Sequence, residues 1–390
     1  LSKYGGTILL VGKNGKTIID SLSYGDLETD ISFGRETDGG QSLVKFKTST
    51  PEATNSNSIS YGEKSQVPVF SHVGGKYDQP FFLNINSNIS NSKIYYTIDG
   101  SDPNPNNLGG FVYEYKLDYQ KYGSGFIGDS YFRPYRSYLS YEPIDLKKYL
   151  DKLFWISDIT GSFYYLVINE KKVPAVTVRA ILIEEGKEPS DIISNTYFFS
   201  NNDPVQDKLP IISLTLNENQ LKGFYDGIGV PGVDYENWRY TSEILTGGFS
   251  PANYRRSGRD AEIPANIEVY ENGKQVLNQT IGLRIHGGWS RSFPHKSFRL
   301  YARNFYSKDV MTYSFFKDLP YEDFQRIILR NSGNDYSGTF FKDAFLQRLM
   351  SFSNLDYQEY NPFIIYINGE YWGLLNARER LDVNYLKRKY

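Results

Sequence analysis

Apolar and polar residues alternate along much of the first 200 residues, and this period-two pattern predicts β-strands joined by tight turns. In residues 5–25, GGTILLVGKNGKTIIDSLSYG, Asn14 and Gly15 separate two apolar runs. Both central positions of a two-residue hairpin turn need positive φ, which Asn and Gly adopt readily. Residues 94–103, IYYTIDGSDP, are typical of a strand, an Asp-Gly turn and a proline stop. We therefore expect almost no helix in residues 1–57 and about 68–200, and no long helix anywhere in residues 1–110.

The pattern changes after residue 209. LPIISLTLNENQL predicts a strand leading to a short helix, and Asn-Gly pairs at 272–273 and 368–369 predict two more hairpins. Apolar residues with helical spacing place the principal helix near 339–352: these are Phe341, Phe345, Leu346 and Leu349. The order sheet, helix, sheet, connector, helix indicates an α+β domain.

These patterns predict a multidomain, mainly β protein, and the length of 390 residues also favours two or three domains. The first two domains are expected to be Ig-like β-sandwiches because of the family resemblances given below, and the last an α+β lobe. The predicted boundaries are 1–57 for a partial sandwich, 58–67 for a Ser/Asn-rich linker, 68–200 for a second sandwich with Tyr-rich insertions at 111–140 and 147–172, and 209–390 for the lobe.

The composition of the chain argues against several classes of function. A net charge of −2 gives no global attraction to nucleic acid or to an anionic membrane. The absence of cysteine excludes disulfides, thiolate metal sites and cysteine nucleophiles. No apolar run approaches the ~18 residues that span a bilayer. Because Leu1 opens inside a predicted strand, we interpret the chain as a fragment or a processed piece.

One stretch departs from this charge balance. Residues 281–306, IGLRIHGGWSRSFPHKSFRLYARNFY, contain five basic residues and no acidic one. Read as a strand, a Gly-Gly loop and a second strand, the stretch places Leu283, Ile285, Phe298 and Leu300 in a core. Its opposite face then contains basic side chains, with candidates Arg284, Lys296 and Arg299.

Such a face suits phosphate, because the Gly-Gly loop lets backbone approach a ligand and a lysine ammonium is a compact point charge. Asp343, the only acidic residue of the predicted helix, is the expected partner of Lys296. The alternative is a solvated basic strand face that pairs with nearby Glu. The stretch contains neither a Walker loop nor the glycine-rich loop of ordinary protein kinases.

A metal site is a second candidate. Asp99 and Asp102 lie three residues apart on a predicted turn, where their oxygens could bind Ca²⁺. No Glu follows at a useful spacing, so turn-forming Asp is the interpretation we favour.

Two segments resemble known β-sandwich families. ISFGRETDGGQSLVKFKTSTPEATN resembles the end of a lamin-tail domain, with Gly34, Arg35, Asp38 and Gly39 on its closing motif. IYYTIDGSDP with the later strands resembles the chitobiase C-terminal-type domain, which is found on glycosidases and surface proteins. These resemblances imply adhesive or spacer modules, and for the second, by fold analogy alone, carbohydrate binding.

The last segment resembles the CotH family of bacterial spore-coat and surface kinases. Four motifs occur in the family's order: RDAEIPANIEVYENGK, GLRIHGGWSRSFPHKSFRLYAR, ILRNSGNDYSGTFFKDAFLQRL and IIYINGEYWGLLNARERLD. The resemblance implies phosphorylation of Ser/Thr on secreted or coat proteins with ATP and Mg²⁺ or Mn²⁺. It places Lys296 at the phosphates, with Arg284 and Arg291 flanking the same mouth. It places residues 377–380 at the adenine-binding hinge, where Glu379 is a candidate contact; the alternative is a Glu at a helix start, favoured by the helix dipole.

The resemblance also implies an inactive piece. Family members carry their Asp-rich motif after the position of Tyr390, so we assign no catalytic residue and expect no phosphate transfer by this chain alone. The leading interpretation is an extracellular or cell-surface bacterial kinase whose partner is a protein substrate or a surface-layer protein. The alternative is a non-catalytic structural or adhesive protein with a kinase-like domain.

Overall fold

The computed structural model describes residues 4–26, 31–119, 129–151, 155–162, 175–199, 208–244 and 246–390. The chain divides into two compact units. The first consists of Leu1–Val67, Ile89–Lys93 and Leu182–Asp191, and the second of Pro68–Asn88, Ile94–Ile181 and Ile192–Tyr390. The predicted insertions at 111–140 and 147–172 lie partly outside the described residues.

The first unit contains two separate antiparallel ribbons. Their strands are β1 (Tyr4–Val11), β2 (Ile18–Asp26), β3 (Ser32–Arg35) and β4 (Leu43–Phe46). Strand β1 pairs with β2, and Gly15 in the turn between them has a φ of +66°. The predicted hairpin is therefore confirmed, but its two-residue turn is not, because residues 12–17 join the strands and Asn14 does not have positive φ.

The second unit contains the other strands, wholly or mainly. These are β5 (Val69–Phe70), β6 (Gly75–Tyr77), β7 (Phe82–Leu83), β8 (Ile85–Asn86), β9 (Lys93–Thr97), β10 (Phe111–Lys116), β11 (Ser130–Tyr135), β12 (Tyr138–Leu139), β13 (Ile144–Asp145), β14 (Val176–Ile183), β15 (Ile193–Phe199), β16 (Ile211–Thr215), β17 (Ile263–Glu271), β18 (Lys274–His286), β19 (Ser297–Tyr301), β20 (Met311–Thr312), β21 (Asp323–Phe324), β22 (Arg326–Arg330), β23 (Tyr360–Ile367) and β24 (Glu370–Glu379). Its described α-helices are α1 (Glu218–Lys222), α2 (Gly232–Thr241), α3 (Lys342–Leu349) and α4 (Val383–Lys389).

Seven of these strands close into a ring, which we call the barrel. Antiparallel pairing joins β16, β17, β18, β19, β22, β24 and β23 in that order, and a parallel pairing of β23 with β16 completes the ring. The turns β17–β18 and β23–β24 contain the predicted Asn-Gly pairs, and all four residues have positive φ. Closure satisfies the backbone hydrogen bonds that an edge strand would leave exposed.

Alternate residues of the barrel strands fill its interior. Leu283, Ile285, Phe298 and Leu300, each predicted to face a core, are all buried in one apolar cluster. Because successive side chains of a strand point to opposite faces, the residues between them lie outside the barrel. Polar and charged chemistry is therefore concentrated on the outer surface.

One outer side of the barrel packs against the preceding strands of the same unit. Phe198 of β15 lies in a buried cluster with Ile211, Tyr270 and Tyr366 of the barrel. Beside it, Glu268 is fully buried and accepts hydrogen bonds from the backbone N–H of Thr196 at 2.8 Å and from its hydroxyl at 3.0 Å. Among the described residues, no cation forms an ion pair with Glu268.

The helices agree only in part with the sequence pattern. The expected helix near 339–352 is present as α3, followed by a 3₁₀ turn at Met350–Phe352. The longest described helix, however, is α2 with 10 residues. Its buried side includes Tyr235 and the ion pair between Glu236 and Arg239, so it lacks the apolar stripe on which the prediction relied.

The prediction for the first part of the chain, which contained no long helix, agrees with the structure. Within the described part of residues 1–110 there is no α-helix, as expected. A search of the described residues finds no helix with the length and apolar character needed to span a bilayer.

Candidate anion-binding site

The outer surface of β18, β19, β22 and β24 is lined with arginine. Arg284 on β18 lies opposite Arg299 on β19 in the register. Neighbours in register and residues two apart share one face of a sheet. This face, which we call the arginine face, carries Arg284, Arg299, Arg326, Arg330, Arg378 and, directly after β24, Arg380.

Carboxylates neutralise only part of this charge. Asp343 of α3 forms ion pairs with Arg378 at 2.9 Å and with Arg330 at 3.5 Å. Glu262 pairs with Arg284 at 2.6 Å, and Asp382 pairs with Arg326 at 2.9 Å. Arg299 has no carboxylate partner among the described residues and donates instead to a histidine. The arginine face is therefore net positive.

The histidine that accepts from Arg299 is His286, and its pKa reflects the positive charge around it. The Nε of Arg299 donates to Nδ1 of His286 at 2.8 Å. Burial, followed by the charges of Arg299 and Arg330, lowers the pKa of His286 from 6.5 to about 3. His286 is consequently neutral at physiological pH, and the surrounding positive potential favours an anion.

A cleft with a volume of about 460 Å³ opens beside the arginine face. Its walls are a loop at 287–290, a loop at 332–335 and the start of α3, and Arg330 and Lys342 also line it. Gly287 has a φ of +119°, and a Cβ there would lie 2.4 Å from the Ser290 Oγ. Only glycine fits this position without rearrangement.

The second loop is held in an uncommon conformation. Ser332 has a φ of +64° and is followed by Gly333 at +56°. Left-handed backbone at a non-glycine residue costs free energy and persists only where its surroundings fix it. Here the Ser332 hydroxyl donates to the Phe340 carbonyl and accepts from the Asn376 side chain at 3.0 Å. The cleft is thus preformed.

Arg291, a predicted phosphate contact, fixes the first loop. Its Nε donates to the Gly287 carbonyl at 2.8 Å, and its Nη1 donates to the carbonyls of Tyr254 and Arg256 at 3.1 Å each. These bonds satisfy backbone acceptors and hold the loop against the segment before β17. Burial is the main cause that lowers the pKa of Arg291.

Lys296 does not lie on the arginine face. Its side chain is buried, and its Nζ donates to the Gly161 carbonyl at 2.6 Å and to the Arg291 carbonyl at 2.5 Å, above the Tyr254 ring. The expectation that it faces an open cleft was wrong. Lys296 is two residues from the buried Phe298 and three from Arg299, so a period of two puts it on the core side.

The expected pairing of Asp343 with Lys296 was also wrong, because Asp343 binds the two arginines of the face. Since the Arg378 side chain is only 1% exposed, we expect Asp343→Asn to leave a buried charge without its carboxylate. The free energy of unfolding should fall by about 1–3 kcal/mol in chemical denaturation. Asp318→Asn, at an exposed partner of Arg348, is the control and should cost under about 1 kcal/mol. Equal losses would contradict the prediction.

Glu379, predicted near the hinge, points away from the arginine face. It is buried, accepts from the Tyr321 hydroxyl at 2.9 Å, and lines a small cavity with Tyr357 and Tyr385. Burial raises the pKa of its carboxyl. A role for Glu379 in adenine binding stays a prediction.

The candidate calcium ligands take part in protein contacts. Asp99 accepts from the backbone N–H of Ser101 at 2.9 Å, as a turn residue does. Asp102 pairs with Arg179 at 2.5 Å. In the described parts of the chain, no group of three or more His, Asp or Glu side chains is placed to hold a metal ion.

Sequence reasoning missed four arginines of the face. They are Arg326, Arg330, Arg378 and Arg380. A signal was present, because QRIILR and ARER each place arginines two or four residues apart within or beside a predicted strand. Charge spacing along predicted strands would have found them.

Two family models match parts of the chain. Residues 283–390 match the family model described as CotH kinase protein, and residues 83–197 match the model described as Fn3 associated. Comparison with curated proteins gives no match. The CotH match, which includes the arginine face and the cleft, supports a CotH-like protein. The lamin-tail and chitobiase-type assignments stay predictions.

Proposed function

We propose that residues 283–390, which match the CotH kinase model, are the nucleotide-binding part of a CotH-like protein kinase. The kinase transfers phosphate from ATP to Ser/Thr of secreted or coat proteins, outside the bacterial cytoplasm. The observation that carries this proposal is the net-positive arginine face beside a preformed cleft with a glycine loop on one wall. Phosphoryl transfer depends almost wholly on positioning and on neutralising phosphate charge, and the arginines supply such charge.

The basic side chains of the cleft and the volume of the cleft both suit a nucleotide. Arg330 and Lys342 line the cleft together with Asp335 and Asp343, and Asp343 is already paired with Arg378 and Arg330. Arg299 of the arginine face adds positive charge that no carboxylate of the described residues neutralises. Arginine binds phosphate oxygens bidentately, and lysine adds a point charge. The cleft volume of about 460 Å³ lies in the range of small-molecule sites. We assign no metal ligands, because the described residues present no suitable group.

Isothermal titration of ATP into the protein and into Arg330→Ala tests the proposal. We expect the wild-type protein to bind ATP and the variant to bind about tenfold more weakly or worse, because one charge-assisted contact is lost. Asp343 keeps its ion pair with Arg378 in this variant, so the fold should persist. Circular dichroism verifies that both proteins are folded.

Arg136→Ala is the matched control. Arg136 is an exposed arginine beside Tyr138, outside the CotH match, and its removal should leave ATP affinity unchanged. If wild type and Arg330→Ala bind ATP equally, the cleft is not the nucleotide site. If the wild-type protein binds no ATP, the non-catalytic structural alternative gains support.

A further inference from the structure

Four arginines surround the ring of Tyr301 on the arginine face. Their guanidinium carbons lie between 4.5 and 5.7 Å from the ring centre. We call this group the Tyr301 cluster, and it consists of Tyr301, Arg284, Arg303, Arg326 and Arg380. Guanidinium groups stack on aromatic faces, so one ring holds four cations together.

The Tyr301 cluster contains more positive than negative charge. Glu262 pairs with Arg284 at 2.6 Å and with Arg303 at 2.6 Å. Asp382 pairs with Arg326 at 2.9 Å and with Arg380 at 3.3 Å. Two carboxylates therefore face four guanidinium groups, which leaves a net charge of +2. A dianion would neutralise it.

The carboxylates are less accessible than the arginines. The Glu262 side chain is 1% exposed and that of Asp382 is 15% exposed, whereas the four arginine side chains are 18–32% exposed. Glu262 lies over Gly282, where a Cβ would approach its Oε1 to 2.5 Å. The acid is thus held beneath the arginines, and a ligand from solvent meets guanidinium groups first.

The Tyr301 cluster is separate from the cleft. Arg326 belongs to the cluster and Arg330 to the cleft, four residues apart on β22. At the rise of a β-strand this is ~13 Å, more than the reach of one phosphate group. One face of the barrel thus offers two places for phosphate.

We propose that the Tyr301 cluster binds a phosphate dianion carried by a phosphorylated Ser or Thr side chain of a protein. Arginine clusters recognise phosphorylated residues because each guanidinium can donate two parallel hydrogen bonds to phosphate oxygens. The inference deepens the proposed function, on which it rests for its ligand. A kinase that holds an already phosphorylated residue here presents a neighbouring hydroxyl to the cleft.

The test is fluorescence anisotropy with a labelled phosphoserine peptide and the double variant Arg303→Ala/Arg380→Ala. This variant removes the excess charge but leaves Arg284 on Glu262 and Arg326 on Asp382, so no acid loses its last partner. We expect the phosphopeptide to bind wild type about tenfold more tightly than the variant, or better. The unphosphorylated peptide should not bind. The control Lys274→Ala/Lys308→Ala removes two exposed lysines and should bind as wild type does.

Competition identifies the source of the phosphate. Inorganic phosphate and single-stranded DNA are the competitors. If either displaces the peptide at a concentration no higher than the peptide itself needs for binding, the assignment to a phosphorylated side chain is overturned. Equal peptide binding by wild type and the double variant would overturn the site itself. ATP titration of wild type and Arg330→Ala separates this result from the proposed function: if Arg330→Ala weakens ATP binding while the double variant binds the phosphopeptide as wild type does, the Tyr301 cluster fails and the nucleotide cleft stands.

Discussion

Lys296→Ala should destabilise the protein by about 2–5 kcal/mol, the range for truncating a long buried side chain to alanine. The lysine stem packs inside the protein, and its Nζ donates to two carbonyls, the buried one of Gly161 and the partly buried one of Arg291. Removal creates a cavity and leaves both acceptors unpaired. Urea denaturation followed by circular dichroism measures the loss.

Lys296→Met separates the two contributions. Methionine retains much of the stem but lacks the donor, so its loss of stability should be smaller than that of alanine. Burial lowers the pKa of Lys296 well below its ordinary value, so methionine also removes a group that is costly to charge. An unchanged denaturation midpoint for alanine, together with weaker ATP binding, would favour the phosphate role that the family resemblance implies.

Glu268→Gln should stabilise the protein at pH 8 and have little effect at pH 5. Burial raises the pKa of Glu268 from 4.5 to about 7, so the folded protein holds a proton that the unfolded chain releases. The stability that this proton supplies is fully present below pH 4.5 and is lost as pH rises through about 7. By linkage the loss is about 3 kcal/mol at pH 8.

Glutamine avoids this loss because it has no proton to release, and its amide can still accept from Thr196 N–H and donate to the Thr196 hydroxyl. Urea midpoints of wild type and variant from pH 5 to 8 give the difference, in which the titration of His286 and His295 cancels. Glu262→Gln is a control. Burial raises the pKa of Glu262, but its hydrogen bonds and ion pairs with Arg303 and Arg284 outweigh burial and lower it. This variant should therefore lose an amount of stability that does not vary from pH 5 to 8. A difference that does not vary with pH would show that Glu268 titrates normally.

Local features of the fold were readable from the sequence because they depend on neighbouring residues. The turns at 272–273 and 368–369 follow from the positive φ that Asn and Gly allow, whereas at 14–15 only Gly15 has positive φ. The inward positions of Leu283 and Phe298 follow from strand periodicity. Lys296 was misplaced because the prediction grouped residues three apart on one face, which a period of two forbids.

Features that join distant strands were not readable. The arginine face combines β18 with β24, whose sequences lie about 90 residues apart, and nothing local states that these strands belong to one surface. The insertion of residues 155–162 above Lys296 is a tertiary contact of the same kind. The family resemblance supplied the nucleotide hypothesis, but the order of strands supplied the arginines that could serve it.

The parallel pairing of β16 with β23 has a consequence for how the protein is made. Residues 211–214 pair with residues 364–367, so the ring cannot close until about 150 later residues have been synthesised. Non-local pairing slows folding because the entropy of the long loop is lost before the contacts form. We therefore expect the nascent chain to carry β16 as an exposed apolar edge for several seconds of translation. A chaperone that shields strand edges would act in that interval.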